Sequence, residues 1–284
     1  MSVALPQPSS TLWLVPSPTR PPLPTFTFTP RPTPVPRASP APSPLTLPSP
    51  RPTSIPPLTI PILMYHYVRV VDAQTDPLGY QLSVTPNRFA AQLTWLKQQG
   101  YQPVTMATVA RCLLREEPCP PQAIALTFDD GYEDAYLTAL PLLQKINFVA
   151  TFYLVNTFIG KPGYLDEQEI ILLQQAGMEI GAHTLTHRNL QTLAPSQAEV
   201  EISASKVQLA KLLGKPVVSF CYPLGKFDPT LAAFVEREGY TSATTTLQGF
   251  AQRDLFALPR LRVSGQLTQA QFEQLMQSYS PWRE

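Results

Sequence analysis

Beyond about residue 58 the chain alternates between two periodicities. Short apolar runs recur, each followed by a polar turn and then by apolar positions three and four apart. Residues 58–64 predict a first strand, with Pro61 confining it to an edge or to the strand's start. After a polar loop, Thr85 and Pro86 supply an N-cap and a first helical residue. Phe89, Leu93 and Leu96 then recur at helical spacing until Gly100 stops the helix. Strands follow at 122–128, 148–155, 178–182, 217–222, 241–245 and 258–263. Helices are expected near 133–145, at 166–176 opened by Asp166, at 195–213 closed by Gly214, at 228–238 closed by Gly239, and at 268–278. Strands and helices alternating through short links predict a parallel β/α architecture, in which chemistry gathers at the C-terminal ends of the strands. His66, Asp129, Asp130, His183, His187 and the turn Tyr222-Pro223-Leu224-Gly225 all fall there.

Composition divides the chain. Of 34 prolines, 20 lie at or before Pro61, and the first 60 residues carry Arg20, Arg31, Arg37 and Arg51 but no acid. Such a stretch cannot bury enough apolar surface to offset its ordering entropy. Residues 1–58 are therefore expected to be a disordered Pro/Ser/Thr-rich linker, and residues 59–284 the working domain. In polyproline form the linker reaches on the order of 180 Å, the span of a spacer from a membrane or wall anchor; a misassigned start codon is the competing explanation. From the spacer we expect an extracellular or envelope-associated enzyme. Thr11-Leu12-Trp13-Leu14-Val15 is too short for a secretory signal core.

Charge and cysteines exclude further classes. Of 21 basic residues, removing the four linker arginines leaves 17 against 20 acids, a net of −3, so nucleic acid is not an expected partner. No run approaches the roughly 18 apolar residues of a membrane span, and the chain is read as a monomer. Three cysteines are too few for a disulfide scaffold. Cys112 and Cys119 suit either a small disulfide loop or two free thiols, and Cys221 reads as a small buried side chain.

The candidate chemistry lies in three patches. Asp129-Asp130-Gly131 is ordinary turn chemistry taken alone. After an apolar strand, with histidines elsewhere, the two carboxylates can divide labour, one holding a cation and the other acting as base. His183 and His187 are four apart, so on a helical turn both imidazoles face one way, as chelation needs. Thr184 after His183 disfavours a zincin. Two imidazoles and a carboxylate make a mixed site suited to Zn²⁺, with Co²⁺ or Ni²⁺ as alternatives. His66, the one histidine not spent on chelation, is left to protonate a leaving amine; a hydrogen-bonded histidine near the core is the bland alternative.

These residues resemble the polysaccharide deacetylases with a NodB homology domain, carbohydrate esterase family 4. Thr127-Phe128-Asp129-Asp130-Gly131 is similar to the first motif, in which the first Asp is the base and the second a metal ligand. His183-Thr184-Leu185-Thr186-His187 is similar to the second, the two metal histidines. The resemblance implies a distorted (β/α) barrel, a divalent metal and a polysaccharide substrate. Two departures stand out: Cys221 occupies the place of the third motif's arginine, and no histidine follows His187. Both resemble the branch of poly-β-1,6-N-acetylglucosamine deacetylases, which has an early Tyr-His, matched by Tyr65-His66, and a Tyr-Pro-x-Gly turn. By that similarity His66 is the acid, Tyr222, Pro223 and Gly225 form the oxyanion and substrate-binding turn with the Tyr222 N–H as donor, and Arg260 replaces the missing arginine beside Asp129. The implied reaction removes N-acetyl groups from a β-linked N-acetylglucosamine polymer. Alternatives are a non-catalytic carbohydrate-binding or scaffold domain, an O-acetyl esterase on a xylan-like polymer, and a small-molecule amidase. Tyr80, Tyr132, Tyr164 and Phe227 are either sugar platforms or core.

Overall fold

A computed structural model describes residues 59–278; the expected linker over residues 1–58 lies outside them. Eight strands are arranged around one axis: β1 (Ile62–Tyr65), β2 (Gln102–Val104), β3 (Ala123–Phe128), β4 (Thr151–Leu154), β5 (Glu179–Ala182), β6 (Ser219–Cys221), β7 (Ser242–Gln248) and β8 (Leu258–Arg262). Every pairing is parallel. Seven strands close a barrel in the order β1-β8-β7-β6-β5-β4-β3, with β3 returning to β1. The eighth, β2, pairs with residues 123–125 of β3, and β4 pairs with Thr127 and Phe128 further along. Pro61 does not put β1 at an edge. It precedes the strand, where its missing N–H costs no ladder bond, and its carbonyl accepts the Ala125 N–H at 2.9 Å.

The helices are α1 (Pro77–Leu82), α2 (Pro86–Gln98), α3 (Met106–Leu113), α4 (Leu140–Lys145), α5 (Glu167–Gln175), α6 (Pro195–Leu213), α7 (Pro229–Arg237) and α8 (Gln269–Ser278). Their ends obey local chemistry. The Thr85 side chain accepts the Arg88 N–H, Asp166 forms a capping box with Glu169, and Gly214 ends α6 in the left-handed conformation at φ +64°. The expected single helix over 133–145 is split. Pro141 has no N–H to give, and the preceding turn, Ala135–Ala139, widens to π geometry, with the Leu140 N–H bonding Ala135 O.

Strands β1, β3 and β4 read as near-continuous apolar runs because helices cover the outside and side chains fill the inside. All residues of β1, β3 and β4 are buried. Tyr65, Phe128 and Phe152 stack through the interior, with ring centroids 5.2 and 4.8 Å apart. In this packing, Arg260 on β8 is fully buried at 0% exposure. A charge so placed needs a partner, and that partner belongs to the candidate site.

Candidate active site

Because the strands are parallel, the residues that follow them emerge at one end of the barrel. His66 follows β1, Asp129 and Asp130 follow β3, His183 follows β5, and Tyr222 follows β6. With His187, Leu224 and Arg262 they line one cavity of about 410 Å³.

The turn after β3 sends its two carboxylates different ways. The Asp129 N–H continues the ladder to Tyr65 O at 3.0 Å. Asp130 and Gly131 are then both left-handed, at φ +73° and +78°. A Cβ on Gly131 would lie 2.9 Å from Leu154 Cδ2, so the position requires glycine. Asp129 meets Arg260 in a bidentate pair, Nη1 to Oδ1 and Nη2 to Oδ2, each at 2.7 Å. The same guanidinium donates to Thr127 Oγ1 at 3.0 Å, Thr245 O at 2.8 Å and Cys221 Sγ at 3.2 Å. Burial pushes the Asp129 carboxyl up, but the charge and hydrogen bonds of Arg260 more than offset it and hold the group well below the usual carboxylate range. Cys221 thus stands where Arg260, arriving from β8, fills the space.

Asp130 has the opposite surroundings. Its Oδ1 is buried and has no hydrogen-bond donor among the described residues. Two imidazole nitrogens face it, Nε2 of His183 at 3.4 Å and Nε2 of His187 at 3.3 Å. His183 Nδ1 lies 2.7 Å from Cys221 O. A carbonyl only accepts, so Nδ1 carries the hydrogen, and in the neutral imidazole that a metal requires Nε2 presents a lone pair. The three ligand atoms lie within 4.8 Å of one another. Metal–ligand bonds of about 2.0–2.2 Å at tetrahedral angles separate donor atoms by about 3.3–3.5 Å, so this donor set fits a divalent cation. The alternative set Asp129, His183 and Cys221 does not, because both oxygens of Asp129 and the thiol already face a guanidinium.

Two expectations need correction. The segment from His183 to His187 is not a helical turn. Thr184 and His187 are left-handed at φ +66° and +63°, and Thr184 Oγ1 accepts the His187 N–H at 3.0 Å. The imidazoles converge through this looped backbone, not through helical periodicity. Nor is the Tyr222 N–H available as an oxyanion donor, because β6 pairs onward and it donates to Thr244 O at 3.1 Å. Pro223 has no N–H, and that of Gly225 is bonded to Tyr222 O at 2.9 Å. Leu224, left-handed at φ +57° and lining the cavity, carries an N–H with no acceptor among the described residues. Gly225 is still required: a Cβ there would lie 2.1 Å from Thr246 Oγ1.

Other readings resolve by geometry. Tyr132 lines the cavity, but its ring stacks on Tyr67 at 3.6 Å and packs against Tyr164 at 5.1 Å, while Phe227 stacks on Tyr222 at 5.2 Å. These rings brace one another. Cys112 and Cys119 are free thiols in side-chain contact. Two residues were missed from the sequence: Glu201 on α6, which accepts from Thr186 between the histidines, and Asp134, which accepts the Val68 N–H beside His66. Acids spaced within helices read as solvated, and no local pattern marks them as loop anchors.

Comparison with known proteins now decides the family. Residues 116–243 match the family model described as polysaccharide deacetylase. YxkH of Bacillus subtilis, named for the same family, is 31% identical over 224 residues, covering 78% of this chain and 77% of YxkH. The chain belongs to the polysaccharide deacetylase family. The poly-β-1,6-N-acetyl-D-glucosamine N-deacetylase of Escherichia coli is 24% identical over 250 residues, 71% of this chain but 37% of that longer protein. Among solved structures, the Streptococcus pyogenes deacetylase PplD in complex with acetate superposes with a TM-score of 0.73 at 29% identity, covering 79% of this chain and all of that one. The barrel of this chain is that of its family relatives, and no helix among the described residues is long and apolar enough to cross a membrane.

Proposed function

We propose that this polysaccharide deacetylase removes N-acetyl groups from a β-linked N-acetylglucosamine polymer, using a divalent metal, Zn²⁺ first, held by Asp130, His183 and His187. The observation that carries the reading is the division between neighbouring carboxylates: Asp129 is saturated by Arg260, whereas Asp130 Oδ1 faces the Nε2 atoms of two imidazoles and has no hydrogen-bond donor among the described residues. A cation bound there supplies Lewis-acid polarisation of the acetyl carbonyl and of a water. Asp129, kept ionised and fixed in orientation by Arg260, takes the proton of the attacking water. The Leu224 N–H is positioned to donate to the developing oxyanion. His66 lines the same cavity and delivers a proton to the departing amine, leaving acetate and free glucosamine.

The rival reading of a non-catalytic carbohydrate-binding domain rested on the missing third-motif arginine. Arg260 reaches the carboxylate of Asp129 from another strand and removes that support. An exported, envelope-associated location follows as a proposal from the polymer substrate and the Pro-rich composition before Pro61. The test is acetate release by the zinc-loaded protein from poly-β-1,6-N-acetylglucosamine, chitooligosaccharides and peptidoglycan. Asp129→Asn is expected to lower turnover by at least about 1,000-fold while zinc stays bound. Substantial acetate release by that variant would overturn the base assignment, and O-acetyl release from xylan alone would shift the substrate class.

A further inference from the structure

The loop between the two histidines is held by a residue with no part in the site's chemistry. Glu201 lies on α6, is 6% exposed, and reaches this loop with both its side chain and its backbone. Its Oε2 accepts the Thr186 N–H at 2.8 Å, and its Oε1 accepts the Thr186 hydroxyl. Its backbone carbonyl accepts the Leu185 N–H at 3.1 Å. Two consecutive amides between His183 and His187 thus terminate on one helical residue. No cationic side chain pairs with Glu201 among the described residues. A buried carboxylate without a counter-charge persists where hydrogen bonds to it are needed.

That need is visible in the backbone. Thr184 and His187 both occupy left-handed conformations that non-glycine residues adopt only when their surroundings over-determine them. On the opposite side the loop is braced by the Asn156 N–H on Thr184 O at 3.3 Å and the Thr157 N–H on Leu185 O at 2.9 Å. Glu201 supplies the remaining restraint from α6. We propose that Glu201 is the positioning residue of the metal-binding loop: it locks Leu185 and Thr186 so that His183 and His187 Nε2 converge on Asp130 before any cation arrives. The inference rests on the metal-site reading above.

Zinc affinity, measured by competition with a chromophoric chelator, tests it without reference to turnover. Glu201→Ala is expected to weaken zinc binding about 10- to 100-fold, with the barrel's far-UV circular dichroism intact. Glu201→Gln retains an acceptor for the Thr186 N–H and should restore affinity to within about 3-fold, a rescue that loss of bulk packing would not predict. At saturating zinc, Glu201→Ala should recover kcat to within a few-fold, since the loss lies in holding the loop. Folded Glu201→Ala with wild-type zinc affinity would overturn the proposal. Should Glu201→Ala not fold, Thr186→Val removes only the hydroxyl bond and is expected to weaken binding several-fold; unchanged affinity there would equally overturn it. Wild-type protein that takes up no zinc would sink the metal reading itself, an outcome distinct from unchanged affinity in the variants.

Discussion

The two halves of the site are built on opposite principles, although their carboxylates are adjacent in sequence. Around Asp129 every polar atom has a partner: both oxygens meet Arg260, and the guanidinium is further occupied by Thr127, Thr245 and Cys221. Around Asp130 an oxygen is buried with no donor among the described residues, facing imidazole nitrogens at 3.3 and 3.4 Å. Satisfied buried charge fixes geometry, whereas a buried oxygen without a donor calls for an explanation, here the two imidazoles that face it. On the proposed reading, this difference gives the base to Asp129 and the cation to Asp130, a division that two identical residue types leave open.

The largest effect should come from breaking the closed half. Arg260→Gln leaves Asp129 buried with its charge unpaired, a change expected to cost about 3–5 kcal/mol of stability, read by urea unfolding. Asp129→Asn in the same background should return part of that loss, and the double-mutant cycle isolates the coupling. A cost below about 1 kcal/mol for Arg260→Gln would mean that water, not Arg260, satisfies Asp129.

Breaking the open half should do the reverse. His187 is partly exposed, with 24% of its side chain accessible, and removing it uncovers no buried pair. His187→Ala should lower zinc affinity at least about 100-fold, since three protein ligands become two, while changing the stability of the metal-free protein by less than about 1 kcal/mol. A destabilisation comparable to that of Arg260→Gln would erase the distinction between the halves.

Much of this was legible in the sequence, and what was not has physical causes. The bounds of α6 follow from Pro195 and Gly214, and Asp166 and Thr85 cap as their side chains dictate. The segments α1, β2 and α3 were not anticipated. β2 has three residues, one of them Pro103, and hangs on β3 alone, while α1 and α3 have six and eight residues, too short for periodicity to register. The three histidines stood out because the chain has no others, and the Asp129-Asp130 pair because it follows an apolar strand. Their roles depended on backbone direction: the ladder consumes the N–H of Tyr222, and left-handed residues aim His187. Arg260 was nameable only through resemblance, since a lone arginine in an apolar strand carries no spacing signal.

A partly buried carboxylate sharpens the comparison by reversing it. Asp134 accepts the Val68 N–H, two residues past His66, and Arg69 lies near enough to exert a charge effect without forming a bidentate pair. Burial pushes its carboxyl up to about 6 from an ordinary value of 3.8, against the pull of the Val68 N–H and Arg69. An acid whose folded pKa exceeds its unfolded one contributes stability below the unfolded pKa and loses it as pH rises through the folded value. Between pH 4 and pH 7 this group therefore withdraws on the order of 2 kcal/mol. Asp134→Asn keeps an acceptor for Val68 but stays neutral throughout. The difference in melting temperature, variant minus wild type, should be near zero at pH 4 and reach roughly 5 °C at pH 7. A gap that stays constant across this range would show that Asp134 is neutralised in the fold by a partner as effective as Arg260 is for Asp129.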